Sequence, residues 1–211
     1  MKPIDKRDFI VGVRWWQTST GWPKDFHNAD YEVLAAQNPN GVFLDDWWAG
    51  FLPRLTLWRA LRPFSRAEVT GLLVANRDDL ASAWHQACAP VRDNDITEVT
   101  WDRVRAFPEV VARLKPTSSP VFRSKFCHFL LPRIFPVFDN LAVGGSCTYE
   151  RYFNLIRDTW NVTPADLQAS LISELSQMVE DEGRGPLHVG FPMATKITEL
   201  ALIGRKHGQR L

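Results

Sequence analysis

Cysteine is scarce in this 211-residue chain: Cys88, Cys127 and Cys147 are odd in number, and none stands in a CxxC pair. That excludes a disulfide scaffold and a cysteine-rich metal or iron–sulfur site, and makes a reducing cytoplasm the expected compartment. Long apolar runs are missing too. None approaches the ~20 residues that cross a bilayer, so no membrane partner is expected. The charged stretch Met1 to Asp8 lacks the apolar core of a secretory signal. A charge excess is also absent: 25 Lys and Arg face 24 Asp and Glu, for a formal net charge of +1. Repeats, low-complexity tracts and flexible linkers are lacking. With 45% hydrophobic and 23% charged residues the chain is neither disordered nor collagenous. Its length suits one domain with a large core.

What the chain does have is helical periodicity. Residues 30–37 predict a short helix stopped near Pro39. Phe43 to Leu52 and Pro53 to Leu61 predict two helical pieces separated by a proline kink. Ser65 to Ala89 predicts a long helix, with Ser65 and Glu68 at capping-box spacing. Thr100 is the expected cap of a helix reaching Leu114, and Ser119-Pro120 opens another that must stop near Leu131, before Pro132. Thr148 to Trp160, Thr163-Pro164 to Gly183, and Phe191 to His207 complete the set. One stretch reads as a strand, Phe9 to Trp16 (FIVGVRWW), and it stands alone. The expected fold is all-α, a single domain over 1–211.

Charge is segregated even though its sum is not. Residues 103–133 carry Arg103, Arg105, Arg113, Lys115, Arg123, Lys125 and Arg133 against Glu109 alone, whereas residues 134–182 carry eight acids against Arg151 and Arg157. The basic block either supplies phosphate contacts or pairs with the acidic blocks in the fold.

The segment Ser124 to Asn140 (SKFCHFLLPRIFPVFDN) is the most informative. Phe126, Phe129 and Leu130 fall on one helical face, and Lys125 and His128 on a neighbouring one. Leu131 lies roughly 9 Å beyond Lys125 along the axis. The seven residues that follow span up to ~23 Å, enough to return Asp139 to Lys125. A carboxylate beside an amine suits a reaction that builds cationic character on a sugar carbon. The plainer readings stand beside it. Asp139 caps the next helix, Lys125 is a solvated lysine, and His128 is a satisfied interior histidine.

A helix bearing lysine, a short connection, and then a hydrophobic-Asp pair resembles the helix-hairpin-helix DNA glycosylase superfamily. The SK-F-HFL-P-FP-D string and the helix Pro192 to Leu200 resemble a divergent bacterial branch, some of whose members act in phage defence. The resemblance covers roughly 115–204. It implies a two-lobed helical bundle, with lobes near 1–114 and 115–211, double-stranded DNA in the cleft and a flipped base. It also implies Asp139 as the catalytic aspartate, Lys125 at the lysine position and no cofactor or metal. Two departures are visible. The glycine-rich hairpin that holds a phosphate is replaced by Pro120-Val121-Phe122-Arg123-Ser124, so the side chains of Arg123 and Ser124 are expected to substitute, joined by His128 and Arg133. The Lys-to-Asp interval of 14 residues is shorter than the family's, which favours Asp139 over Lys125 as the essential group.

Nine tryptophans complete the picture, and Trp15, Trp16, Trp22, Trp47, Trp48 and Trp58 lie in the first 60 residues. Packing is the ordinary fate of such rings. Neighbouring residues point apart, however, so the doublets Trp15-Trp16 and Trp47-Trp48, with Asp45, are expected to offer rings and a carboxylate to a base pocket. The expected activity is that of a DNA N-glycosylase. It would excise a modified base from phage DNA, glucosylated hydroxymethyl-cytosine being one candidate, leave an abasic site and so defend against phage. The alternative is a non-catalytic DNA- or protein-binding module of a defence locus.

Overall fold

The computed structural model describes residues 1–35, 41–117, 119–143, 147–182 and 185–208, and among these it is all-helical, with no strand. The helices are α1 (Lys6–Ser19), α2 (Asn28–Ala35), α3 (Asp45–Leu57), α4 (Arg66–Ala75), α5 (Arg77–Ala83), α6 (Trp101–Val104), α7 (Ala106–Val111), α8 (Pro120–Leu130), α9 (Asn140–Val143), α10 (Tyr149–Asn161), α11 (Ala165–Asp181) and α12 (Met193–His207). No helix among the described residues is long and apolar enough to cross a membrane.

The expected strand Phe9 to Trp16 is instead the middle of α1. Its β-branched and aromatic residues favour a strand locally. Phe9, Gly12, Val13 and Trp16, however, stand at i, i+3, i+4 and i+7 and are all buried, and that stripe finds a partner in α12. The Asp5 carboxylate caps the helix by accepting from the Arg7 N–H at 2.8 Å. The helix α12 is buried on every side from Ala194 to Gly204, which makes it the central rod of the fold. The two helices approach closely where Gly12 meets Leu200 and Gly204 meets Asp8. At the far end Trp15 stacks on His207 at 4.8 Å, and Arg205 Nε reaches Asp8 Oδ2 at 3.0 Å.

Several local signals act as expected. Ser65 and Glu68 form a complete capping box, Ser119 accepts from the Phe122 N–H with Pro120 at the first helical position, and Thr148 accepts from the Arg151 N–H. Others differ. Pro53 does not divide its region: α3 runs through it. The long helix from Ser65 breaks at Asn76, whose side chain donates to the Leu72 carbonyl and competes with helix continuation. Thr163 does not cap α11. Its hydroxyl donates to the Thr159 carbonyl and accepts the Ile4 N–H. The expected stop at Pro39 and the end at Gly183 lie outside the described residues.

Candidate active site

Between α8 and α9 the chain turns back on itself, and three buried side chains pin the turn. His128 Nδ1–H donates to the Phe135 carbonyl at 2.7 Å, while its Nε2 accepts from the Tyr31 hydroxyl at 3.0 Å. Tyr149 donates to the Pro136 carbonyl at 3.0 Å. Ser124 Oγ accepts the Phe138 N–H at 2.9 Å. The next residue is Asp139. The return that chain length permits therefore occurs, with Lys125 and Asp139 lining one cavity of about 230 Å³. That volume lies below the range of about 300–1,000 Å³ typical of drug-sized ligands.

Trp16, Trp22, Trp58, His27, Val121, Val137, Phe138, Lys196 and Glu199 complete the lining. The Lys125 ammonium donates to the Trp58 carbonyl at 2.5 Å and lies 5.7 Å from the Trp22 ring. Trp58 ends α3, so its carbonyl is one of the orphan acceptors at the negative end of that helix. Burial pulls Lys125 down to about 8; the Asp139 charge opposes this and the Arg59 charge adds to it. His27 packs on Trp58 with ring centroids 4.1 Å apart, and its Nδ1 pairs with Asp30 at 2.7 Å. Burial lowers its pKa against the pull of Asp30. His27 in this wall, with φ 70°, and Arg59 just after Trp58, with φ 57°, hold backbone conformations that L-residues rarely adopt. Such strain collects where the surrounding structure fixes a functional group.

A pH experiment tests the Lys125 environment. An ordinary lysine titrates near 10.5, and this one near 8. Between those values the unfolded chain binds more protons than the folded one, so stability rises with pH across the window. Below pH 8 the buried charge is a standing cost. Lys125→Met is therefore expected to be at least as stable as wild type at pH 7. Wild type should recover about 3 kcal/mol relative to the variant by pH 10.5, read by urea unfolding. A wild-type-minus-variant difference that stays flat from pH 7 to 10.5 would contradict the depressed titration.

The structure buries two of the four expected DNA-contact residues. Ser124 and His128 are 0% and 2% exposed. They hold the Asp139 turn from inside and cannot touch a DNA backbone. Burial drives His128 down to about 3, so it is neutral. Arg123 is half-buried with its guanidinium over the Tyr149 ring at 5.3 Å, and Arg133 lies 3.6 Å from Asp95 and lines a different cavity, beside His188. The stretch Pro120 to Ser124, at the hairpin position of the resemblance, is the first turn of α8. Of the expected base pocket, Trp16 lines the cavity. Trp15 faces His207, and the exposed Asp45 pairs with Arg77. Trp47 stacks on Phe51 at 4.6 Å, and buried Trp48 donates to Thr70 Oγ1 at 2.8 Å. The basic block is dispersed as well. Arg113 pairs with Asp79 and Arg105 with Asp102, and Lys115 is buried against the Ala60 and Arg62 carbonyls. These partners belong to the first half of the chain.

This chain matches no known protein family, no curated protein and no solved structure. The cavity must therefore be read from its own chemistry. Among the described residues no cluster of three or more histidine, cysteine, aspartate or glutamate side chains is arranged to hold a metal ion. Sequence reasoning missed His27, Lys196 and Glu199. For the last two a signal is present: opposite charges at i, i+3 inside an otherwise apolar helix. For His27 there is none, because a single histidine in an irregular segment has no pattern.

Proposed function

We propose that the protein is a DNA glycosylase of the helix-hairpin-helix type, acting on a modified base of phage DNA. The observation that carries this reading is the meeting of Lys125 and Asp139 in a small cavity walled by Trp16, Trp22 and Trp58. Tryptophan faces stack on an extruded base. The Asp139 carboxylate stabilises positive charge growing on C1′ and orients water. As the C1′–N bond breaks, the bonding pair leaves with the base. The water oxygen bonds C1′, and its proton passes by way of Asp139 to the departing base. Lys125, at about 8, is present near neutral pH mainly as an ammonium that attracts a neighbouring phosphate, with a fraction of amine able to attack C1′. Borohydride trapping of an enzyme–DNA adduct separates the two roles.

Arg59 takes the place of the contact residues lost to the interior. It is exposed, in a left-handed backbone conformation directly after the cavity-lining Trp58, and its charge is felt by Lys125. Arg59→Ala is expected to weaken DNA binding across sequences and to reduce the slope of log K against log salt by about 1. An unchanged slope in a filter-binding titration would remove Arg59 from the interface.

The deciding experiment is incubation with DNAs carrying different modified pyrimidines, with mass spectrometry for free base and alkaline cleavage for abasic sites. Release of one base supports the reading. Salt-sensitive DNA binding with no base released from any substrate would leave the binding module instead.

A further inference from the structure

The wall that α12 gives to the cavity is unlike the rest of that helix. Lys196 and Glu199 are only 5% and 4% exposed, and Lys196 Nζ donates to Glu199 Oε2 at 2.7 Å. A buried ion pair is poor evidence of stabilisation, since desolvating two charges often costs more than their attraction returns, and apolar residues of similar size would hold the helix as well. Both side chains line the cavity. The Lys196 ammonium also lies over the Trp16 ring at 4.6 Å. One of its N–H groups is used by Glu199, and Glu199 Oε1 takes no part in that bond. Burial, with the Asp139 charge, raises the Glu199 pKa, and Lys196 opposes this. The pair thus presents a donor and an acceptor side by side, at a tryptophan wall.

We propose that Lys196 and Glu199 are the specificity-determining pair of this cavity, reading a planar pyrimidine-type ring whose edge carries a hydrogen-bond donor next to an acceptor. The ring N–H or amino group donates to Glu199, and the adjacent ring nitrogen or carbonyl accepts from Lys196. The tryptophan rings recognise shape and the pair recognises the edge. This rests on the reading of the cavity as a base pocket.

The test uses the full chain and its tryptophan fluorescence. Free cytosine, free uracil and 2,4-difluorotoluene, a pyrimidine shape without a hydrogen-bonding edge, are titrated against wild type and against Lys196→Met/Glu199→Gln. The double substitution removes both charges together, so neither is stranded, and circular dichroism checks its fold. Wild type is expected to bind at least one of the two bases about 10- to 100-fold more tightly than the isostere, and the double variant to bind all three within about threefold. Equal binding of base and isostere by wild type overturns the proposal, and that arm decides even if the variant does not fold. A preference retained by a folded double variant overturns it too. Edge-selective binding of free bases without base release from any DNA supports the proposal while ending the glycosylase reading. Base release by the double variant with wild-type selectivity does the reverse.

Discussion

Gly204→Ala is expected to lower the melting temperature by about 10–15 °C or to yield no folded protein, a loss of about 3–5 kcal/mol. A Cβ at this position would sit 1.7 Å from the Asp8 carbonyl oxygen and 2.6 Å from the Gly12 nitrogen. Both are backbone atoms of α1, so no side chain can swing aside. The reciprocal change Gly12→Ala meets the Leu200 carbonyl oxygen at 1.8 Å and should cost as much. Relief requires α1 to move off α12, and that motion breaks the site, because α1 carries Trp16 and α12 carries the Lys196 ammonium 4.6 Å from its ring. Gly71→Ala is the control. It lies within α4, and nothing stands within 4 Å of the added carbon, so the higher helix propensity of alanine should leave stability unchanged or raise it by up to about 1 kcal/mol. Differential scanning calorimetry of the three variants checks all of this. A Gly204→Ala protein melting within a few degrees of wild type would refute the close α1–α12 contact.

Asp139→Asn is expected to reduce base release by about 10²–10⁴-fold while leaving the fold intact. Asparagine keeps the size of the side chain but not the charge that balances a cationic C1′, and it does not take up a proton from water. The residue is half-buried, and the turn before it is held by Ser124, His128 and Tyr149. Melting temperature and DNA affinity should therefore change little, and abasic sites should not accumulate in single-turnover reactions. Unimpaired base release by Asp139→Asn would sink the glycosylase assignment. Loss of activity together with loss of folding would make Asp139 a structural residue.

Much of the Lys125–Asp139 element is legible in the amino-acid sequence, for a physical reason. Ser119 and Pro120 set the start of α8, Pro132 sets its stop, and two prolines shorten the paths open to the chain between α8 and Asp139. All of these act within a few residues. The turn itself needs more. Its three pins come from His128, Ser124 and Tyr149, and His128 is in turn held by Tyr31, 97 residues away. Ser124 and His128 read as surface contacts in the sequence because the hairpin position of the resemblance and helical spacing assign a place along a helix, not what covers it. The tryptophans show the same limit. Trp16 and Trp15 are neighbours in sequence, yet one walls the cavity and the other stacks on His207.

The sequence by itself determined the helical class, most helix starts and the element that brings lysine to aspartate, since caps, prolines and apolar spacing work through local hydrogen bonds and local sterics. Only the tertiary structure decided that FIVGVRWW is a helix, that Trp22 and Trp58 rather than Trp47 and Trp48 wall the cavity, and that Lys196 and Glu199 line it with Lys125 and Asp139. Those outcomes depend on which surfaces exclude water together. That is a property of segments far apart in the chain, with α1 pressed on α12 through two glycines nearly two hundred residues apart.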